Sequence, residues 1–290
     1  MKSTIFEKLI SKKKRLSRLK NKIIAYYDSL PQDSINEDQK SVISYLRTNA
    51  MAVFPYTFPS AYRDSDIELF MDEALNLFYT LWEGKKLYYK SGNNPKKAQK
   101  YFNSLRLEQD VRSPHRYLTD QFDVAEGDII ADVGAAEGNF SLSVIEKAGY
   151  IYLFETDDKW IKALMATFAP WKEKVEIIQK FVHEKTGDDL LALDDFFAGN
   201  RPLHFIKADV EGAERLVING AARTISTQNN LKIAICTYHR QEDATQLEAL
   251  LKKMGFNTTF SDGFMLYYYG RTNVVKEPYL RKAVLRATKS

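Results

Sequence analysis

The sequence predicts an α/β protein built on a mostly parallel sheet, and two observations carry that prediction. From residue 128 onward, short apolar runs alternate with helical patterns. Within that part, DIIADVGAAEGNFSLSVIEKAGYIYLFE at 128–155 holds a strand, a glycine turn, a helix and a second strand in one short unit. That order belongs to a nucleotide-binding βαβ unit. The first apolar run ends in Asp132 and the second in Glu155, an acid able to accept hydrogen bonds from ribose hydroxyls. Gly134 and Gly138 allow a sharp turn and a close approach of the backbone to a ligand.

Strand candidates are 128–133, 150–155, 175–179, 203–208, 231–236, 256–260 and 264–269, and helical patterns fill 139–148, 158–168, 188–198, 213–226 and 242–254. Five strand–helix pairs followed by two strands joined at Ser261-Asp262-Gly263 predict a parallel sheet ending in a hairpin. Earlier residues have a different texture. Helical patterns at 3–28 and 36–50 flank Pro31, an aromatic loop runs from Phe54 to Pro59, and 66–82 read as helix running into strand. A hairpin is expected at Glu83-Gly84, a helix over 95–108 capped by Asn94, and a short helix from Ser113-Pro114 through Leu118. The expected organisation is a mainly helical N-terminal region over 1–110, with a cap, substrate or assembly role, and an α/β domain over 111–290.

A hydrophobic content of 44% with 28% charged residues excludes a disordered or fibrous chain. The lone Cys236 lies in an apolar run and cannot form an internal disulfide, so a buried thiol and a reducing, cytoplasmic setting are expected. No apolar stretch approaches bilayer-spanning length, and the amino terminus lacks the apolar core of a signal peptide. The formal charge of +4 is unevenly spread, since residues 2–22 hold nine Lys or Arg against Glu7 alone. Ile5, Leu9, Leu16, Leu19 and Ile23 share one face of a basic helix. The expectation is a solvated helix packed by one face on its own protein. Peripheral contact with anionic lipid, or with nucleic acid, is the alternative, and an oligomer is compatible with either.

Ligands of such sheets bind at the carboxyl ends of the strands. That rule nominates Asp132 to Gly138, Glu155-Thr156, Phe181 to His183, Asp209 to Glu211 and Tyr238-His239. A dinucleotide fingerprint starting at Gly134 would need glycine at 136 and glycine or alanine at 139, where Ala136 and Asn139 stand. Written instead is Asp-x-Gly-x-Ala-x-Gly over 132–138, which resembles motif I of class I S-adenosylmethionine (SAM) methyltransferases. A second stretch, His204 to Glu214, delivers Asp209 and Glu211 to one strand end, with Gly212 relieving the turn behind them. Acids placed there could polarise a hydroxyl, bind a cation or cap the next helix. Its pattern I-K-x-D-V-E-G-x-E resembles the signature of the FkbM methyltransferase family. Tyr152-Leu-Phe-Glu155, Leu191-Ala-Leu-Asp-Asp195 and Asn219-Gly-Ala221 resemble further family motifs. The resemblance covers about residues 107–270. One departure is Thr156, where many members carry proline.

The resemblance implies a Rossmann-like class I methyltransferase fold, with a seven-stranded mostly parallel sheet whose last strand inserts antiparallel. It implies SAM as cofactor, held by Asp132, Gly134, Ala135, Ala136, Glu137, Gly138, Asn139, Glu155, Thr156, Val182 and Asp209. It also implies O-methylation of a hydroxyl on a sugar, glycan or other small molecule. The catalytic candidates are His239, Asp209 and Glu211. Imidazole titrates near neutrality, so His239 is the preferred base, with the acids orienting it or taking its place. Capping the helix that begins near Glu242 is its competing role. Arg116 is a candidate partner for the cofactor's carboxylate. No metal site is assigned: Asp209 and Glu211 could take a divalent ion, but no third ligand is identifiable, and His183 and His204 lack partner spacing. Three rival readings remain. A nucleic-acid methyltransferase would usually carry an Asn/Asp-Pro-Pro-Tyr/Phe turn where Asp209-Val-Glu-Gly stands. A non-catalytic SAM-binding assembly protein would keep the same turn, and a dehydrogenase has the wrong glycine spacing.

Overall fold

Hydrophobic spacing and caps set the N-terminal elements of this computed structural model, which describes residues 12–92, 94–199, 201–268 and 275–289. Helix α1 (Lys12–Ser29) buries Leu19, Ile23 and Tyr27. Helix α2 (Glu37–Thr48) starts at a capping box formed by Asn36 and Gln39, and buries Val42, Ile43 and Leu46. Both apolar stripes pack on Phe264, Leu266, Tyr279 and Leu280. The Tyr27 hydroxyl donates to the Pro278 carbonyl at 2.7 Å. The described part of the basic helix is therefore packed by one face on its own protein, with Lys12, Lys13, Arg15 and Arg18 exposed. Its expected first residues, 3–11, lie outside the described residues.

Strands β1 (Phe70–Asp72), β2 (Leu77–Trp82) and β3 (Lys85–Tyr88) form a small antiparallel sheet. This corrects the expected helix after residue 66. Asp72 accepts from the Leu75 amide and Asn76 takes a positive φ, so a tight turn breaks the segment into two strands. The β2–β3 hairpin turns at Glu83-Gly84, both left-handed, as expected. Helix α3 (Pro95–Glu108) begins where Asn94 accepts from the Lys97 amide. The short helix expected through Leu118 is absent. Its backbone is held by side chains instead: Ser113 Oγ accepts from the His115 amide, and the Arg116 and Tyr117 carbonyls accept from the Arg286 guanidinium.

The main sheet follows in alternation. Its elements are β4 (Ile129–Val133), α4 (Asn139–Val144), β5 (Tyr150–Phe154), α5 (Asp158–Phe168) and β6 (Val175–Ile178). A two-stranded pair, β7 (Phe181–Val182) and β8 (Leu190–Leu191), then leads to α6 (Leu193–Phe196) and β9 (Phe205–Ala208). After α7 (Glu214–Asn219), α8 (Ala222–Thr227), β10 (Lys232–Cys236) and α9 (Asp243–Lys253), the chain ends on β11 (Asn257–Phe260) and β12 (Val284–Thr288). The seven strands lie in the order β11-β12-β10-β9-β4-β5-β6. β12 runs antiparallel to both neighbours.

Three expectations change here, the first being the helix over 188–198, which is reduced to β8 and the four-residue α6. The last strand is β12, not 264–269, and no tight hairpin at 261–263 joins it to β11. Within the described part of that segment, Met265 makes a single bridge to Arg281, and its apolar neighbours bury against α1 and α2. The expected helix at 213–226 splits at Gly220, where a Cβ would lie 2.1 Å from the His183 carbonyl oxygen.

Strand alternation divides the core between the two faces. Ala131, Val133, Ile206, Ile233 and Ile235 pack with Val217, Ile225, Leu247 and Leu251 of the helices on one face. On the other, Ile130, Ile151, Phe205 and Ala234 share a core with Leu142 of α4 and with Phe54, Leu87 and Phe102. Residues before 110 thus complete one face of the sheet. Among the described residues no helix is long and apolar enough to cross a membrane.

Candidate cofactor and acceptor site

The β4 and β5 ends lie side by side, and the turn after β4 closes over them. The Gly134 and Ala135 amides both donate to the Phe154 carbonyl, at 3.0 and 3.1 Å. Gly134 has φ +74, and a Cβ there would sit 2.0 Å from the Asp209 carbonyl oxygen. The close approach that demands this glycine is to the backbone just past β9. Gly138, at φ +81, packs on Leu164 and Phe168 in the same manner. Glu155 reaches back to the turn: Oε2 accepts from the Ala136 amide at 2.9 Å, and Oε1 from those of Thr156 and Asp157 at 2.6 and 2.8 Å. Three backbone bonds fix the carboxylate before any ligand arrives. Thr156, in the place of the family's proline, supplies one of these donors.

Asp132 lies beneath the turn with no exposed surface. It accepts from Ser141 Oγ at 2.7 Å and pairs with Lys207 Nζ at 3.0 Å. Lys207 also donates to the Gly134 carbonyl at 2.7 Å. Burial works against the lysine's charge, but Asp132 and Asp209 outweigh it and raise its pKa. Asp132 therefore acts on the turn through Lys207 and does not line the cavity.

That cavity holds about 700 Å³ at the carboxyl ends of the strands, within the range of small-molecule sites. Of the sequence candidates, Gly134, Ala135, Ala136, Glu137, Asn139, Glu155, Thr156, Val182, Asp209 and Glu211 line it, whereas Asp132, Gly138 and His239 do not. Trp160, Phe181 and Val182 offer apolar surface near Glu155, and Glu108, Glu137 and Asp209 bring acidic groups. An aromatic base, a ribose and a sulfonium cation match these three kinds of lining, so the residues fit SAM. Burial pushes Glu137 up to about 7, against the hydrogen bond donated by Tyr101. Burial also raises Glu108.

The acceptor end is built around Asp209, just past β9. Tyr117 donates to its Oδ2 at 2.9 Å and Tyr238 to its Oδ1 at 3.4 Å. His115 Nε2 lies 3.6 Å from Oδ2 and His239 Nε2 3.5 Å from Oδ1. Burial would raise the carboxyl's pKa, but the hydrogen bond and charge of His115, with Lys207 and His239, hold it well below the usual range. Glu211 takes a left-handed φ of +52, projects into solvent with 82% of its side chain exposed, and accepts from the Tyr267 hydroxyl.

His239 stands behind this pair of acids. Its side chain is 2% exposed, and its Nδ1 lies 2.8 Å from Oε1 of the fully buried Glu214. Glu214 is itself held by the Val210 and Gly212 amides. Burial disfavours the imidazolium, but Glu214 and Asp209 raise the pKa overall. A ring placed there meets an acceptor only through Asp209 or Glu211. Nor does His239 cap α9: the N-cap position is Glu242, which makes no side-chain cap bond, and Asp243 accepts from the Arg240 amide at 2.7 Å.

Other candidates prove structural. His204 Nδ1 accepts from the Ile129 amide, and the Arg116 side chain does not line the cavity. Asp194 of the L-D-D motif caps α8 through the Arg223 and Thr224 amides. Sequence reasoning missed Tyr101, Glu108, Tyr267 and Glu214 as parts of the site. His115 and Tyr117, the neighbours of Arg116, serve Asp209 and were missed as well.

Strand order with β12 inserted antiparallel, a glycine turn after the first sheet strand and a ligand-sized cavity beside it define a Rossmann-like class I methyltransferase fold. A family model described as the methyltransferase FkbM domain matches residues 61–258, more than half of the chain, and the chain belongs to that family. SAM is accordingly its cofactor. Among solved structures, it is similar to the FkbM methyltransferase of Methylobacillus flagellatus KT. They are 16% identical, with 94% of this chain and 59% of that one covered and a TM-score of 0.47. It is also similar to a precorrin-6y C5,15-methyltransferase of Geobacter metallireducens GS-15, at 15% identity, 58% and 82% coverage and a TM-score of 0.40. A probable ribosomal RNA small subunit methyltransferase A of Methanococcoides burtonii is 34% identical over 61 residues, 21% of this chain and 22% of that protein. The chain thus matches about a fifth of that relative's length and under two thirds of the M. flagellatus chain.

Proposed function

We propose that the protein is a SAM-dependent O-methyltransferase acting on a hydroxyl of a sugar, a glycan or another small polar molecule. The observation that supports this best is the carboxylate pair at the acceptor end of the cavity, Asp209 held ionised and Glu211 open to solvent. SAM, when bound, supplies a methyl group made electrophilic by its sulfonium. Glu155 and the turn at 134–138 hold the nucleoside side. Asp209 accepts the hydrogen bond of the acceptor hydroxyl and orients its oxygen, and Glu211 offers a basic site for the departing proton. His239 positions both acids. Tyr238 and Tyr267 flank the same end and give an acceptor ring a surface to lie on. Residues before 110 act as a cap, since Tyr101 and Glu108 line the cavity from α3.

The test is incubation with methyl-labelled SAM and separate panels of nucleotide sugars, glycans, small polyols and RNA. Label on a hydroxyl of a non-nucleic-acid acceptor is the expected result, and label on RNA alone would replace this reading. With an acceptor in hand, Asp209→Asn should slow transfer by roughly 100 to 10,000-fold. SAM affinity by calorimetry should fall far less than the rate, since Glu108, Glu137 and Glu155 still line the cofactor's side of the cavity.

A further inference from the structure

We propose that Asp209, Glu211 and His239 bind one divalent ion of the manganese or zinc class at the acceptor end of the cavity. His239 Nε2 lies 3.5 Å from Asp209 Oδ1 and 3.6 Å from Glu211 Oε2. Both separations exceed normal hydrogen-bond length. Donor atoms that each sit about 2.0 to 2.2 Å from one ion stand roughly 3 to 3.5 Å apart, close to the two separations from His239 Nε2, while Glu211 must still turn to bring its oxygen equally near Asp209.

Two independent features point the same way. The His239 side chain is 2% exposed, yet its Nε2 makes no hydrogen bond among the described residues. A buried ring nitrogen normally has such a partner. The other ring nitrogen is fixed on Glu214 at 2.8 Å, and backbone amides hold Glu214 in turn. A carboxylate that orients a histidine from behind is the usual support of a metal ligand. Tyr117 occupies Asp209 Oδ2 at 2.9 Å, whereas Oδ1 has only a long 3.4 Å bond from Tyr238 and faces His239. Glu211, largely exposed, needs only a side-chain rotation to complete the set. One imidazole with two carboxylates suits manganese or zinc better than magnesium, which favours oxygen ligands alone. Three protein ligands leave coordination positions open, and Asp209 and Glu211 both line the cavity. An acceptor oxygen entering there would meet the ion. That use rests on the hydroxyl-transfer reading, whereas the existence of the site does not.

The experiment uses the full chain, stripped with chelator and titrated with MnCl2 and ZnCl2 separately, without SAM or acceptor. Calorimetry and manganese electron paramagnetic resonance should show one ion per chain. Glu211→Gln, a change at an exposed side chain that leaves folding intact, should weaken binding at least about tenfold, and Glu214→Gln by roughly 10 to 100-fold. His239→Gln should abolish it, with circular dichroism confirming the fold. No saturable binding of either ion up to about millimolar concentration overturns the proposal; the cluster is then an imidazolium between two acids. Binding that survives both Glu211→Gln and His239→Gln also overturns it. Ion binding without label on any hydroxyl acceptor would leave the site standing and remove the function proposed above.

Discussion

The two ends of the cavity are held in opposite ways. At the cofactor end the charged groups are spent on the protein itself. Asp132 is consumed by Ser141 and Lys207, Lys207 by Asp132 and Gly134, and Glu155 by three backbone amides. At the acceptor end, two histidines and three carboxylates crowd within ion-pair range, and only some contacts are hydrogen bonds of normal length. The first arrangement is a rigid mould, set before a ligand arrives. The second is a store of charge whose balance an incoming group can change. Substitutions at the cofactor end should therefore read mainly as stability, and those at the acceptor end mainly as rate or binding.

Gly134→Val should give the largest effect. The added Cβ meets a backbone carbonyl at 2.0 Å, in a left-handed conformation that branched residues resist. We expect a loss of about 4 kcal/mol in urea unfolding, at the upper end for single substitutions. If the variant keeps wild-type stability and loses only SAM binding, the turn is a ligand contact first and the contrast between the two ends fails.

Lys207→Met comes next. It leaves Asp132 buried and without its cation, which should cost about 3 kcal/mol. Adding Asp132→Asn should recover much of that loss, because no uncompensated charge remains. Equal damage in the single and double variants would show that Lys207 matters for the Gly134 carbonyl alone.

The same contrast explains what could be read from the chain directly. The cofactor end lies in β4, the turn and β5, contiguous residues whose alternation and glycines carry their own physical meaning, so Gly134, Gly138 and Glu155 were found. Lys207 and Ser141, which make Asp132 structural, come from other elements and left no local mark. Asp209 and Glu211 were visible as acids at a strand end. The depth of His239 was not, because it depends on Glu214 folding under it. Phe264 to Tyr268 form an apolar aromatic run indistinguishable from a strand by period. Phe264, Leu266 and Tyr268 serve α1 and α2 instead, and β12 takes the sheet position from a distant segment. Tyr101 and Glu108 look like ordinary residues of a capped helix, and only the packing of α3 over the sheet brings them to the cavity.

The smallest effect sits within the cofactor end, at Glu137 of the glycine turn. Burial raises its pKa from 4.5 to about 7, although Tyr101 donates a hydrogen bond to it. The folded state thus binds this proton more tightly than the unfolded chain does. Its contribution to stability is fully present below about pH 4.5 and is lost as pH rises through about 7. At about 1.4 kcal/mol per pKa unit the loss has an upper bound near 3.5 kcal/mol, and water in the cavity should reduce it to roughly 1–2 kcal/mol. Glu137→Gln keeps an oxygen for Tyr101 and has no charge to bury. Wild type and variant should therefore unfold at similar urea concentrations near pH 5. By about pH 8 the variant should be the more stable by that roughly 1–2 kcal/mol. Parallel curves across this window would mean that Glu137 stays solvated and titrates normally, and that the rigid end of the cavity stops at the turn.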